Sequence, residues 1–466
     1  MELYTIWFFF LAVAVSLLAY WLNQQKAFQQ PETANNTETE TDAENEKTHS
    51  RNARLPNGKD AQDFRNIYFG VYTLVLAADW LQGPYFYSLY RYAHGLPEST
   101  VALLFITGFV AAAASASFVG SLADRYGRRN ACFAYCAIYS ASCASVLAYG
   151  RLEILVLGRA LGGLSSTLLY SVFEAWMVAE HNARNLGSVV PLSSMFSWST
   201  TLSGVVAIAS GVFGEALVSL TGSQTSPFMM AIVCLGAAGV GMHNFWNENY
   251  GQAATNTHRE DEEARAPLLS QLEPNIDLRK LSILTLVTTV FEGSMYLFVF
   301  LWTPTLEAAR EAATKITPTL QWNLPLGLIF SAFMCAMMLG SMLVSVLNLR
   351  YRSHGAVALL IDTLAIAASA LFIPVLASNE TYIFWSFAVF EACVGMYYPS
   401  IGKMKSSMIH DGVRAKVYAW MRLPLNAFVV VALMLNKDGN ENRRTIFQVA
   451  GALLLGTAFV ARRYLS

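Results

Sequence analysis

Apolar residues in this chain come in long runs separated by short polar punctuation. Leu3 to Leu22 is one such run, of about the length a helix needs to cross a bilayer. From Phe64 onward the runs recur regularly. They predict helices near residues 65–92, 100–120, 131–149, 152–180, 190–220 and 227–246, then near 281–304, 324–349, 354–377, 382–409, 415–436 and 443–464. Two stretches break the rhythm. Gln24 to Asp63 is rich in Glu, Asp, Asn, Thr and Gln and nearly free of large apolar residues, so it cannot bury a core and reads as a disordered linker. Asn247 to Lys280 is polar and carries Glu260-Asp-Glu-Glu263, which makes it a central loop. The expected organisation is an extra N-terminal transmembrane helix (1–24), an acidic linker (25–64), a six-helix half (65–246), a central cytosolic loop (247–280) and a second six-helix half (281–466).

Composition agrees with an all-α membrane protein. The chain is 55% hydrophobic and 14% charged, where a soluble chain carries roughly a quarter charged residues. The formal net charge of -1 comes with no basic patch interleaved with aromatics, so no nucleic-acid partner is expected. Cys132, Cys136, Cys143, Cys234, Cys335 and Cys393 all lie inside apolar runs and read as small packing residues. No loop offers a disulfide pair, a metal-ligand spacing, a phosphate loop or a nucleophile–base pair, so neither an enzyme nor a cofactor or metal site is expected.

Charge placement sets the orientation. Arg125, Arg128, Arg129, Arg184, Arg265, Arg279, Lys280, Arg350, Arg352, Lys403, Lys405, Arg414, Lys416, Arg462 and Arg463 fall on one side of the expected spans, and fewer cations, among them Arg91, Arg151, Arg310, Lys315 and Lys437, fall on the other. The positive-inside tendency makes the first side cytosolic. The first run lacks a basic n-region (Glu2 is acidic) and a small-residue cleavage site, so it stays as a thirteenth span with the N-terminus outside. On this topology the triplet Asn35-Asn-Thr37 is cytosolic. Leu268-Leu269 has its preceding acid one place too far upstream for a dileucine sorting signal, and Arg463-Tyr-Leu-Ser466 is no retention signal. The plasma membrane is the favoured location, with an internal membrane as the alternative.

The charged stretch between the second and third core spans is Gly120-Ser-Leu-Ala-Asp124-Arg125-Tyr-Gly127-Arg128-Arg129. Gly120 and Gly127 allow close approach and a tight reversal, and Asp124 can pair with the arginines. This pattern resembles the signature loop of the major facilitator superfamily, whose fold of two six-helix halves is thereby implied, with the loop acting in gating.

Within the spans, an ionisable side chain costs roughly 2.5–3.5 kcal/mol at the helix centre. Four acids lie there: Asp79, Glu174, Glu292 and Glu391, on core spans 1, 4, 7 and 10. Those spans pair between parallel halves, and Val172-Phe-Glu174-Ala echoes Val389-Phe-Glu391-Ala. The acids are candidates for proton coupling in a central cavity; the alternative for each is a brace to a neighbouring helix. Arg159 and Arg422 are the buried cations and the candidate substrate ligands, since a guanidinium fork suits an oxyanion. Their alternative is a salt bridge to one of the acids. Gly162 and Gly163 should bring the fourth span against a neighbour. Pro84, Pro304 and Pro399 should bend spans 1, 7 and 10.

Taken together, Ala77-Ala-Asp-Trp-Leu-Gln-Gly-Pro-Tyr85, Gly158-Arg-Ala-Leu-Gly-Gly-Leu-Ser165, Phe173-Glu-Ala-Trp176, Phe298-Val-Phe-Leu-Trp-Thr-Pro304 and Trp420-Met-Arg-Leu-Pro424 resemble the eukaryotic molybdate-anion transporter family, which also carries an extra N-terminal helix. The resemblance runs from about Phe64 to the C-terminus and implies a secondary transporter for molybdate, working by alternating access. Proton coupling would reconcile a dianion with four carboxylates if some are protonated when it enters. The partners expected are molybdate or a similar small anion, protons and the lipid bilayer. Two alternatives stay open: another cargo, such as sulfate or an organic ion, and a receptor or scaffold that keeps the fold without cycling.

Overall fold

The computed structural model describes residues 2–29, 58–251, 278–316, 323–350, 355–408, 414–436 and 438–465. Asn35-Asn-Thr37, Glu260-Asp-Glu-Glu263 and Leu268-Leu269 lie outside these residues, as do Lys437 and most of the linker and central loop. The described residues form α1 (Glu2–Gln29), α2 (Gly58–Gln82), α3 (Glu98–Ser115), α4 (Val119–Tyr126), α5 (Arg128–Ser145), α6 (Leu152–Ala183), α7 (Leu192–Thr221) and α8 (Ser226–Phe245). The second half follows as α9 (Leu278–Ile316), α10 (Leu326–Arg350), α11 (Ala356–Leu376), α12 (Glu380–Met408), α13 (Arg414–Met434) and α14 (Asn440–Tyr464).

Backbone hydrogen bonding closed within each segment is what permits a chain to cross hydrocarbon. Each expected span has a helix, with boundaries shifted by a few residues. Nine of the described helices are long and apolar enough to span by themselves: α1, α3, α6, α7, α8, α9, α10, α11 and α14. The other long ones, α2, α5, α12 and α13, carry the interior charges and hydroxyls that lower their hydropathy. Two expected boundaries differ. α1 continues to Gln29 and α2 begins at Gly58, so both ends of the 25–64 linker are helical. The seventh span runs to Ile316, with Pro304 inside the helix. Pro84 behaves as expected of a proline: α2 gives way to a 3-10 turn at Gly83–Tyr85, and the chain then passes through a π turn at Leu89–Ala93.

In the first half α2 packs on α7 and α8, α5 on α6 and α8, and α3 on α6. In the second, α9 packs on α12, α13 and α14, α12 on α10 and α11, and α11 on α14. The halves meet through two related pairs, α7 with α10 and α3 with α13. α1 docks on the second half against α10. Its Trp7 stacks on Phe384 at 4.6 Å, and the Tyr4 hydroxyl donates to Glu380, which also accepts from Arg310 Nη2. Tyr4 therefore sits at the end of the bundle opposite the Asp124 loop. Leu3, Ile6, Phe10, Val13 and Leu17 on the other faces of α1 are exposed, as a lipid-facing surface requires.

Small residues set the closest helix approaches, because dispersion between backbones replaces the absent hydrophobic drive in lipid. Gly163 of α6 makes a close backbone approach in the first half: an added methyl group would collide with the Gly108 carbonyl of α3 and lie 2.9 Å from Ala111 Cβ. In the second half Gly340 of α10 and Gly395 of α12 make the equivalent contact against each other's helix backbone. Gly120, by contrast, sits inside α4 with open space around it. The close approach expected there is absent, and the reversal belongs to Gly127 alone, at φ 101°.

Gly163→Val should overpack the α3–α6 contact and cost about 1–3 kcal/mol. Gly120→Ala should be neutral or stabilising by up to about 1 kcal/mol, since alanine favours a helix over glycine. Thermal unfolding of the detergent-purified full chain separates them: the melting temperature should fall for Gly163→Val and hold or rise for Gly120→Ala.

Candidate functional site

The loop at the basic end is built around one acid and one strap. Arg128 Nε donates to Asp124 Oδ1 at 2.7 Å, and Arg128 Nη1 reaches the Ala175 carbonyl of α6 at 3.3 Å. Arg129 does not pair with Asp124. It donates from Nη1 to the Trp246 carbonyl at 2.7 Å, and Arg125 lies over the Tyr126 ring. The segment after α8 runs beneath the loop. Glu248 accepts the N–H groups of Arg129 (2.8 Å) and Asn130 (3.1 Å), which caps the otherwise unpaired N-terminus of α5. Arg128 N–H donates to the Asn249 carbonyl and Gly251 N–H to the Asp124 carbonyl. Trp246 stacks on Trp176 at 3.7 Å, and Trp176 Nε1 donates to the Asn247 carbonyl. The central loop thus leaves from a clamp that grips α4, α5 and α6.

Deeper in the first half, Asp79 on α2 accepts from the Tyr139 hydroxyl of α5 at 2.8 Å and from the Tyr170 hydroxyl of α6 at 3.3 Å. Two phenols on two helices therefore hold one carboxylate, while Tyr170 itself remains 54% exposed. Glu174, one turn further along α6, is exposed. Arg159 lies near the far end of α6, its guanidinium 4.3 Å from the Phe86 ring centroid and 5.4 Å from that of Phe105. Its Nε has no hydrogen-bond partner, and no carboxylate lies within ion-pair distance among the described residues.

The second half answers Asp79 with Glu292 on α9, but holds it differently. Glu292 Oε1 accepts from the Tyr397 hydroxyl at 3.1 Å and faces Lys405 Nζ at 3.8 Å, both on α12. Lys405 also lies over the Tyr418 ring of α13. Arg422, on α13, is exposed and acts electrostatically on both Glu292 and Lys405. Glu391 on α12 is 6% exposed, and among the described residues it has no ion pair or hydrogen bond. The repeated Val-Phe-Glu-Ala thus places one acid in the open, Glu174, and buries the other. The structure joins Glu292 and Arg422 in one cluster, leaves Asp79 and Glu174 in the first half, and joins neither arginine to the other.

At the end opposite the basic loops, the halves are closed. Glu98, the first residue of α3 and 1% exposed, accepts from Asn436 Nδ2 at 3.3 Å and pairs with Arg443 of α14 at 3.9 Å. Arg443 also donates to the Pro304 carbonyl at 2.5 Å. Tyr92 donates to Glu307 at 2.6 Å, and Glu215 of α7 accepts the Gly327 N–H of α10 at 2.9 Å. Rings complete the seal: Tyr87 and Phe105 both meet Phe300 edge-on, and Phe109 meets Tyr296. Among the described residues, these cross-half contacts lie in the far half and middle of the bundle.

Sequence reasoning missed Lys405, Glu248 and the Glu98–Arg443 pair. Lys405 was counted among the cations of the basic side because it lies near the end of its span. The signal was present: Glu391, Tyr398 and Lys405 recur every seven residues, just under two helical turns, and so share one face of α12. Glu248 and Arg443 are loop and helix-end residues, and no local pattern marks such partners across the fold.

A family described as sugar transporters with 12 TM matches residues 44–388 of the chain. The chain is 29% identical over 418 residues to the molybdate-anion transporter of Xenopus tropicalis, covering 87% of each protein. It is 30% identical over 406 residues to the molybdate-anion transporter of Danio rerio, covering 80% of this chain and 79% of that protein. Among solved structures, a variant of the nucleoside transporter NupG superposes with a TM-score of 0.65 at 11% identity, covering 86% of this chain and all of that one (100%). At that identity the likeness concerns the fold.

Glu248→Gln keeps an acceptor at the α5 N-terminus but removes its charge, at a cost of about 1 kcal/mol. Glu248→Ala also strands two N–H groups and should cost about 2 kcal/mol. Melting temperatures of the purified chain should therefore fall in the order wild type, Gln, Ala; equal values for all three would show that the cap carries no stability.

Proposed function

The chain belongs to the major facilitator superfamily, in its molybdate-anion transporter family, and from that premise we propose that it carries molybdate across a cell membrane. It is a multi-pass membrane transporter rather than an enzyme. The observation that carries the cargo reading is the match to proteins of that name across both six-helix halves. The chemistry is compatible: a tetrahedral dianion needs cationic or donor groups once it leaves water. Arg159 and Arg422 are the arginines proposed to meet it, each from its own half.

Alternating access is the proposed mode. The contact pattern supports it, with the far end sealed by Glu98–Arg443 and Tyr92–Glu307, opposite the basic end, which the positive-inside tendency makes cytosolic. The Asp124 loop and its Glu248 strap are the proposed gating device at that end. Proton coupling is proposed to run through Asp79, Glu174, Glu292 and Glu391, and the plasma membrane is the proposed location. Burial of Glu391 without an ionic partner supports a coupling role, since an ionised acid there is costly.

Cells expressing the chain should accumulate molybdenum from external molybdate faster than cells without it, and Arg422→Lys should weaken apparent affinity at matched surface abundance. Equal molybdenum content with and without the chain would reject the cargo. The seal is tested separately. Arg443→Ala leaves Glu98 buried and unpaired, which disfavours the closed end. A thiol placed by Ser88→Cys should then react with an impermeant external maleimide about tenfold faster, the equivalent of about 1.4 kcal/mol. An unchanged labelling rate would reject Arg443 as part of the gate.

A further inference from the structure

Lys405 lies in the last turns of α12, where a lysine would ordinarily extend to water. Instead its side chain turns back into the bundle, with a relative exposure of 16%, against Glu292 at 17%. The two are 3.8 Å apart, beyond hydrogen-bond distance, so the pair is a charge contact and not a locked bond. Glu292 has a second holder in the Tyr397 hydroxyl, and Lys405 has one in the Tyr418 ring. Each partner would therefore keep a favourable contact if the pair separated. Arg422 stands within electrostatic reach of both, and among the described residues no carboxylate is within ion-pair distance of it. Tyr296 of α9 and Tyr398 of α12 lie within electrostatic reach of Glu292 and Arg422. Two cations thus share one carboxylate.

We propose that Lys405 and Arg422 form the binding site for a tetrahedral oxyanion, and that Glu292 is a resident counterion which the substrate displaces from Lys405. In the empty site Glu292 offsets the charge of Lys405, while Arg422 draws the anion in. A dianion between the cations out-competes a single carboxylate for Lys405, because it brings twice the charge and accepts hydrogen bonds on all four oxygens. Glu292 then relaxes onto Tyr397. The first half has no equivalent: there Asp79 is held by neutral phenols, and Arg159 is enclosed by rings. The site rests on the transport reading for the identity of its ligand, and on the geometry for its location.

Binding of molybdate and of sulfate to the purified full chain, measured by calorimetry, tests this. Lys405→Gln should weaken binding about tenfold or more, as expected for losing a charged partner. Glu292→Gln should tighten it severalfold, because the competitor is gone. Lys405→Gln alone leaves an unpaired interior carboxylate and endangers folding, so the double variant Lys405→Gln with Glu292→Gln supplies the neutral control and should bind as weakly as the single lysine variant. Wild-type affinity in the double variant would overturn the site while leaving molybdate as cargo. Binding of sulfate but not molybdate, weakened by the lysine change, would overturn the cargo and uphold the site. No binding of either anion by the wild-type chain would overturn both.

Discussion

The cost of an unpartnered charge in hydrocarbon governs this architecture. Each interior ionisable group carries a penalty of a few kcal/mol unless something offsets it, and with the exception of Glu391 among the described residues the structure offsets the interior groups in different ways. Asp79 takes two phenolic hydroxyls from two helices. Glu292 takes a phenol and an ammonium. Arg159 is enclosed by the faces of Phe86 and Phe105, where cation–π attraction replaces part of its hydration. Because these partners come from different helices, meeting the charge also fixes helix packing. α2 is tied to α5 and α6 through Asp79, and α9 to α12 through Glu292. The polar groups that define the groove are therefore also fastenings of the two halves.

Much of this was legible in the chain. Run length alone located the spans, because a bilayer demands about twenty apolar residues in a helix, and the interior acids stood out because charge is rare there. Gly163 was readable as a packing residue because glycines beside an arginine in an apolar run have few other uses. What could not be read was which partner meets which charge. Asp79 depends on Tyr139 and Tyr170, sixty and ninety-one positions away, and tyrosines in spans are equally explained by interfacial belts. Lys405 was obscured by its position near a helix end, where length suggests a loop and only side-chain direction shows otherwise. The Glu248 cap was hidden because the acid and the helix it caps are separated by three spans.

The way the halves touch follows from the same constraint. Where α7 meets α10 the contacts are made by small residues: Gly211 and Gly327 bring the two helices together, with the Ser331 hydroxyl donating to the Ile208 carbonyl. Charged contacts between halves are kept to the end, where Arg91, Glu98, Asp438 and Arg443 gather near water. Small residues allow one surface to slide on another with little change in contact, and the half-exposed Arg91–Asp438 pair can break at modest cost. The buried Glu98–Arg443 pair is the costlier one to separate, so it holds the closed end more firmly.

The pseudo-repeat then accounts for where an anion would reside. Both halves place an acid on their first helix, Asp79 and Glu292, and both repeat Val-Phe-Glu-Ala on their fourth. Had the halves stayed chemically alike, the groove would be lined by carboxylates on each side and would repel a dianion. The second half breaks the likeness by adding Lys405 and Arg422 beside its acid, whereas the one interior cation of the first half, Arg159, is enclosed by rings. On the proposed reading, the wall bearing Lys405 and Arg422 would hold the anion, facing phenols and an exposed Glu174. Because Lys405 and Arg422 both belong to the second half, separation of the halves would not tear their pair apart, and the anion could remain on one half while access to it changes.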